Sequence, residues 1–259
     1  MTGLFDLTGK VAVVTGGSRG IGRMIAEGLV RAGVRTYVSS RKADELAATA
    51  ADLDALRDDV DCLAIPADLG TPDGPASLAA AIAQREDAVH ILVNNAGATW
   101  GQDFGTFPAE AFDRVLDVNV RGVFLLTQSL APQLRAAATA DDPARVINIG
   151  SVDGIHAPKM TNFSYSASKA AVHQLTRHLG AVLADDDITV NAIAPGFFPS
   201  KMTAFFGDEG LAAIAAATPR KRVGTPEDIV GAVTFLSSRA GAFVTGVILP
   251  VDGGLATLR

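Results

Sequence analysis

Tyr165, Ser166, Ala167, Ser168 and Lys169 stand together at the start of a helix-length stretch. Residues four apart share one helix face, so Tyr165 and Lys169 point into one place. A free tyrosine hydroxyl has a pKa of about 10, too high for efficient proton transfer near neutral pH. An ammonium one turn away favours the phenolate and lowers that value, which gives the pair the parts of an acid-base catalyst. Tyr-x-x-x-Lys alone is common on exposed helices. Two further residues lift this pair above that background. Ser151 closes the apolar run Ile147-Asn148-Ile149-Gly150-Ser151, fourteen residues before Tyr165. A hydroxyl there can hydrogen-bond a substrate oxygen beside the tyrosine. Asn119, in Asp117-Val118-Asn119-Val120, lies inside an earlier long helical stretch.

A second chemistry-bearing feature lies near the start. The run Lys10 to Thr15 leads into Thr15-Gly16-Gly17-Ser18-Arg19-Gly20-Ile21-Gly22. A glycine turn between a strand and a helix lets backbone amides approach a pyrophosphate, and the helix N-terminus adds partial positive charge. Tight turns favour glycine anyway. The signal gains weight because a clear strand precedes the turn and a clear helix follows it.

Such residues need a scaffold, and the hydropathy pattern supplies one. Short apolar runs recur at Lys10 to Thr15, Val34 to Ser39, Cys62 to Ala67, Val89 to Asn94, Arg145 to Gly150, Ile188 to Ile193 and Gly246 to Val251. Runs of this length, rich in Val and Ile, suit strands buried on both faces. Helix-length segments lie between them: Gly20 to Ala32, Ala43 to Arg57, Pro75 to Arg85, Ala109 to Ala138, Phe163 to Ala184 and Pro226 to Ser238. The alternation predicts an α/β fold: a single Rossmann-type, doubly wound domain with a seven-stranded parallel sheet and helices on both faces. The segment 201–223 breaks the rhythm. It reads either as a substrate lid over the carboxyl ends of the strands or as a packing helix at a subunit contact.

The composition narrows the functional classes. The chain has 259 residues, 48% hydrophobic and 19% charged, with 22 Lys and Arg against 28 Asp and Glu. A net charge of −6 offers no broad basic surface, so no nucleic-acid partner is expected. The single cysteine, Cys62, reads as a small buried apolar residue. No apolar run approaches the ~20 residues of a membrane helix. Met1 to Lys10 does not read as a secretory signal, so a cytoplasmic location is expected. His90, His173 and His178 lack metal-ligand spacing and read as surface or helix-face residues; no metal is expected.

The spacing T-G-x-x-x-G-x-G resembles the short-chain dehydrogenase/reductase superfamily, and other positions extend the likeness. Asn94-Asn95-Ala96-Gly97 resembles the family's N-N-A-G signature, and Asn191-Ala192-Ile193-Ala194-Pro195-Gly196 its segment beside the nicotinamide. Arg222 to Asp228 and Gly246 to Gly254 resemble its C-terminal pattern. The likeness spans Leu7 to Gly254.

The resemblance implies a hydride-transferring enzyme acting on CH-OH or C=O groups, with Asn119, Ser151, Tyr165 and Lys169 as catalytic residues. Asn119 would hold a water linking Lys169 to solvent. Cofactor contacts would fall to Gly16, Ser18, Arg19, Gly20, Ile21, Gly22, Ser40, Arg41, Asp68, Leu69, Asn95, Ala96, Gly97, Tyr165, Lys169, Pro195, Gly196, Phe198 and Ser200. The second strand ends at Ser40 and Arg41, where an acidic residue would favour NAD. Cationic Arg41, with Arg19 in the turn, suits a ribose 2′-phosphate, so NADP(H) is the expected cofactor.

Within the superfamily the chain is most similar to 3-oxoacyl reductases of the rhamnolipid-associated type. Reductases that use acyl-carrier protein often carry a basic residue sixteen positions after the tyrosine. Ala181 stands there, followed by Asp185-Asp186-Asp187, which would repel an acidic carrier. Trp100, His156, Asn162, Phe163, Phe197, Phe198, Phe205 and Phe206 are pocket candidates, each also a candidate for core packing. The leading expectation is a 3-oxoacyl thioester or ester reductase. A steroid-like or alicyclic ketone or alcohol dehydrogenase is the alternative, and a cofactor-binding module without catalysis a third. A serine hydrolase is disfavoured because Ser151 lacks a G-x-S-x-G elbow. The long helices Ala109 to Ala138 and Phe163 to Ala184 suggest a homotetramer, an assembly common in the family.

Overall fold

The computed structural model describes residues 3–199 and 206–257. Seven strands form one sheet: β1 Val11–Thr15, β2 Arg35–Ser39, β3 Cys62–Ala64, β4 Ile91–Asn94, β5 Ala144–Ile149, β6 Ile188–Pro195 and β7 Ile248–Val251. Their order is β3-β2-β1-β4-β5-β6-β7, and each neighbouring pair is parallel. The chain winds outward from β1 to β3, then returns to β4 and winds the other way. A crevice opens at that reversal, above the carboxyl ends of β1 and β4.

Side chains on β1 alternate between the two faces, as a period of two requires. Ala12 and Val14 enter one apolar cluster with Ile25 and Leu29 of α1 (Gly20–Arg31), Leu46 and Leu53 of α2 (Ala43–Asp54), and Ile229 and Val233 of α9 (Pro226–Ser237). Val11 and Val13 enter the other, with Leu78 and Ile82 of α3 (Gly74–Ala83), Leu126 of α5 (Gly122–Ser129) and Leu134 of α6 (Ala131–Ala137). Both faces of the sheet are therefore covered, as the continuous apolar runs imply. Cys62 is buried in the first cluster, and burial pushes its thiol up to about 12.

Two elements depart from the expected boundaries. β3 ends at Ala64, short of Ala67, because Pro66 carries no N–H. Isolated bonds from Ile65 N–H to Val38 O and from Ala67 N–H to Ser40 O continue the path. The stretch expected as one helix from Ala109 to Ala138 is broken into α4 (Ala109–Leu116), a π-helical turn Asp117–Arg121, α5 and α6. Pro132 in the first turn of α6 accounts for the second break. The wide turn carries Asn119 inward, where it is buried; such turns concentrate at functional sites. α7 (Phe163–Val182) is unbroken.

His173 on α7 is buried rather than on an open helix face, and Gly150 and Gly154 leave the space that its ring fills. His90 is half-buried and accepts a bond from Val11 N–H at 3.1 Å. α8 (Gly207–Ala217) lies within the segment 201–223 expected as a lid, of which 201–205 are outside the described residues. Among the described residues no helix is long and apolar enough to cross a membrane.

Candidate active site

A cleft of ≈ 600 Å³ lies above the carboxyl ends of the strands. Its floor begins where β1 turns into α1. Gly16 and Gly20 have φ of 65° and 53°, left-handed values that glycine adopts without steric cost. A Cβ on Gly16 would stand 2.7 Å from Asn95 Nδ2, so the turn packs directly on the strand beside it. The Asn95 amide donates to Thr15 O at 2.8 Å and Gly16 O at 3.2 Å. Thr15 Oγ1 accepts from Asn95 N–H at 2.9 Å and Ala96 N–H at 3.0 Å. Thus Asn95 and Ala96 hold the glycine turn in place. No side chain caps α1, and Gly20, Ile21 and Gly22 at its start line the cleft. This is a cradle for an anion: small residues, free backbone donors and a helix N-terminus.

The next corner is formed by Ser18, Arg19, Ser40, Arg41, Asp68 and Leu69. The Ser40 hydroxyl is buried with no partner among the described residues. Asp68 Oδ1 accepts from Gly70 N–H at 3.0 Å, which fixes the carboxylate at the rim. Lys42 and Glu45 also line this corner. Glu45 was not singled out in the sequence, although its spacing from Arg41 and Lys42, four and three residues, is a helix charge-pair signal.

At the far end, Gly97, Ser151, Tyr165, Lys169, Pro195, Gly196 and Phe198 line the same cleft. Asn119 does not line it. Its amide donates to Ala98 O and to Ser168 Oγ, both at 2.9 Å, and its carbonyl accepts from Ala98 N–H at 2.7 Å. It therefore ties the strand after β4 to α7, one residue from Lys169. Lys169 is 5% exposed, donates to Ile149 O at 2.6 Å, and lies 5.5 Å over the Tyr165 ring centroid. Ser151 accepts from Asp153 N–H at 3.1 Å at the head of a short turn. Asp153 in turn accepts from the Asn162 amide at 3.2 Å. Ser200 and Phe205 lie outside the described residues.

Burial dominates the electrostatics of the pair. It pushes Tyr165 up to about 12; a hydrogen bond from Ser151 opposes that rise and the Asp153 charge adds to it. It brings Lys169 down to about 8. The expectation that the ammonium lowers the tyrosine pKa is thus outweighed, within the protein's own groups, by desolvation.

Of the apolar pocket candidates, Trp100 and Phe198 line the cleft. Phe163 instead packs edge-on against Phe104 and Phe107, each at 5.8 Å, and Phe197 against Phe206 at 5.9 Å. His156 and Asn162 stand outside the cleft wall, and both ring nitrogens of His156 are buried without a partner among the described residues. None of the described residues 206–223 lines the cleft.

The model of the short chain dehydrogenase family matches residues 10–209. The chain is 46% identical to the rhamnolipids biosynthesis 3-oxoacyl-[acyl-carrier-protein] reductase of Pseudomonas aeruginosa, over 96% of this chain and 97% of that protein. It is 34% identical to the 5-keto-D-gluconate 5-reductase of Escherichia coli, over 98% of each. Among solved structures, the Pseudomonas aeruginosa RhlG/NADP active-site complex superposes with a TM-score of 0.94 at 45% identity, covering 99% of this chain and all of that one.

Proposed function

The chain belongs to the short chain dehydrogenase family, and from that membership we propose that it is an NADPH-dependent reductase transferring hydride to the ketone of a 3-oxoacyl thioester or ester. The observation that carries this reading is one continuous cleft with the anion cradle at one end and Ser151, Tyr165 and Lys169 at the other. Arg19, Arg41 and the unpartnered Ser40 hydroxyl fit a ribose 2′-phosphate, and a close relative is solved with NADP. Gly16, Ser18, Gly20, Ile21 and Gly22 would hold the pyrophosphate; Asp68 and Leu69 the adenine side; Asn95, Ala96, Gly97, Pro195, Gly196 and Phe198 the nicotinamide half.

Bound NADPH supplies the hydride. The Tyr165 hydroxyl gives its proton to the substrate oxygen, and Ser151 donates a hydrogen bond to that oxygen as negative charge develops there. Lys169 would anchor the nicotinamide ribose, and it places a positive charge beside the tyrosine ring. Asn119 fixes the stretch before Trp100 against α7 and so sets the position of Lys169; through water it also completes the path by which Tyr165 is reprotonated. Holding the carbonyl carbon close to the hydride in this frame accounts for much of the rate.

Ala181 and the acidic turn Asp185-Asp186-Asp187 argue against docking of an acidic carrier, so coenzyme-type thioesters and simple esters are the favoured form of the substrate. Exposed apolar side chains on the two long helical stretches, Phe124 and Val182, support a homotetramer. The segment 201–223 is proposed as the substrate lid, with Phe206 meeting Phe197 beside the cleft segment Pro195 to Phe198.

The test follows nicotinamide absorbance with NADPH and NADH against a 3-oxoacyl ester, a 3-oxoacyl thioester, a steroid ketone and a cyclic diketone. NADPH oxidation with the 3-oxoacyl substrates, abolished in Tyr165→Phe, is the expected result. Turnover of the steroid or cyclic ketone alone would replace the substrate class, and NADH preferred would overturn the cofactor. Light scattering that gives a monomer would overturn the assembly.

A further inference from the structure

The corner that would receive the 2′-phosphate already holds an anion of the chain's own. Glu45, in the first turn of α2, reaches back over the glycine turn. Its Oε1 stands 3.5 Å from Arg19 Nη1 and accepts a bond from the Ser18 hydroxyl at 3.4 Å. Its Oε2 stands 3.7 Å from Lys42 Nζ. One carboxylate thus engages a hydroxyl, a guanidinium and an ammonium, a donor set that suits a phosphate equally well. Ser40 beside it keeps a buried hydroxyl without a partner, and Arg41 has no ion pair among the described residues, so the corner retains donors that Glu45 does not satisfy.

Resting on the NADPH reading above, we propose that Glu45 is a specificity-determining residue: its carboxylate is an internal competitor that NADPH must displace from Ser18, Arg19 and Lys42. A 2′-phosphate near neutral pH carries close to two negative charges, and a carboxylate left within a few ångströms repels it. NADH places only a neutral hydroxyl there. The competitor therefore costs NADPH affinity and leaves NADH nearly untouched. It also keeps Arg19 and Lys42 aimed at one point, so the basic clamp is assembled before the phosphate arrives. The two effects oppose each other. Displacement wins because the three contacts at 3.4–3.7 Å are long and half-exposed, so the alignment they provide is weak.

The test measures dissociation constants of NADPH and NADH from the full chain by nicotinamide fluorescence, in wild type, Glu45→Gln and Glu45→Asp. Calorimetry with adenosine 2′,5′-bisphosphate and with AMP isolates the 2′-phosphate. In wild type NADPH binds tighter than NADH. Glu45→Gln tightens NADPH and the bisphosphate by roughly 2- to 5-fold and changes NADH and AMP by less than about 1.5-fold, the scale of one half-exposed charge interaction. Glu45→Asp draws the carboxylate back by one methylene and moves NADPH the same way by a smaller factor. NADPH unchanged or weakened in Glu45→Gln, with the melting temperature retained, overturns the proposal; so does equal tightening of both cofactors, which would mark only the general charge of the cleft. Wild type binding NADH more tightly overturns the cofactor reading, a separate failure visible before any variant is made.

Discussion

The Lys169 ammonium lies 5.5 Å over the Tyr165 ring, yet it donates its hydrogen bond to the main-chain oxygen of Ile149 at the end of β5. The lysine is thus fastened to the sheet while it faces the aromatic ring. Lys169→Met is expected to lower kcat for ketone reduction about 100-fold or more and to weaken cofactor binding, since both the charge and a cofactor anchor go. Lys169→Arg keeps the charge but not the fit beside Ile149, and is expected to recover only part of the loss. Steady-state kinetics with a separate cofactor titration checks both.

Tyr165→Phe removes the hydroxyl proposed as the proton donor and little else. Reduction is expected to fall by roughly 100- to 10,000-fold, the range of general acid catalysis. The melting temperature and the NADPH dissociation constant should stay close to wild type. A variant that keeps more than a tenth of the activity would assign the proton to another group.

The pH dependence follows from the same burial. Lys169 is brought down to about 8, so its charge is present below that pH and lost above it. Reduction is therefore expected to decline as pH rises through about 8, while Tyr165, pushed up to about 12, remains a proton donor throughout. Asp153 contributes to the raised tyrosine value. Asp153→Asn removes that charge, lowers the tyrosine pKa, and is expected to shift the rise of alcohol oxidation to lower pH. Paired pH-rate profiles in the two directions read this out; unmoved profiles would show that the Asp153 charge is screened from Tyr165.

Gly22→Ala places a Cβ against Gly16 O and Asn95 Nδ2, and a Cβ at position 22 has no room between them. The glycine turn and α1 must separate to admit it. The expected outcome is a loss of at least about 10-fold in NADPH affinity and a destabilisation of about 1–3 kcal/mol. Cofactor titration and thermal melting check the two parts independently.

Asn119→Ala strips three hydrogen bonds from Ala98 and Ser168 at a buried site. Leaving such groups unpaired costs about 1–3 kcal/mol each, although Ser168 retains a bond to Tyr165 O. A lower melting temperature together with a displaced Lys169, seen as an altered pH profile, is the expected signature. A melting temperature unchanged from wild type would show that water takes over these bonds.

The order of elements and the layered sheet were legible because Val and Ile runs alternate with Ala- and Leu-rich stretches, and both faces of the sheet must be covered. The cleft's glycines, Tyr165, Lys169 and Ser151 were legible because their spacing puts them at the ends of particular strands or on one helix face. What composition and spacing could not supply was desolvation. The surroundings of half-buried Tyr165 and buried Lys169 include residues distant in sequence, and their desolvation opposes the expected shift of the tyrosine. Helix periodicity also passes over a single π turn, because one extra residue changes the apolar pattern of Ala109 to Ala138 very little. The burial of His173 was hidden for a similar reason: it depends on Gly150 and Gly154, after the end of β5, which leave room for its ring.

The π turn at Asp117–Arg121 has a consequence for how the chain tolerates length changes. It adds about one residue to a regular helix, and each residue turns the helix by about 100°. Deleting any one residue between Asp117 and Arg121 would let α4 and α5 run on as one regular helix. Because the π turn absorbs that extra residue, Val115 of α4 and Leu126 of α5 would keep their buried faces, while Asn119 would lose the wide turn that carries it inward. Single-residue deletions within the turn are therefore expected to keep the apolar faces of α4 and α5 in register and to cost the placement of Asn119. Deletions scanned through residues 117–121 would lower turnover while soluble yield is kept, and a collapse of both would show that the turn itself holds the fold.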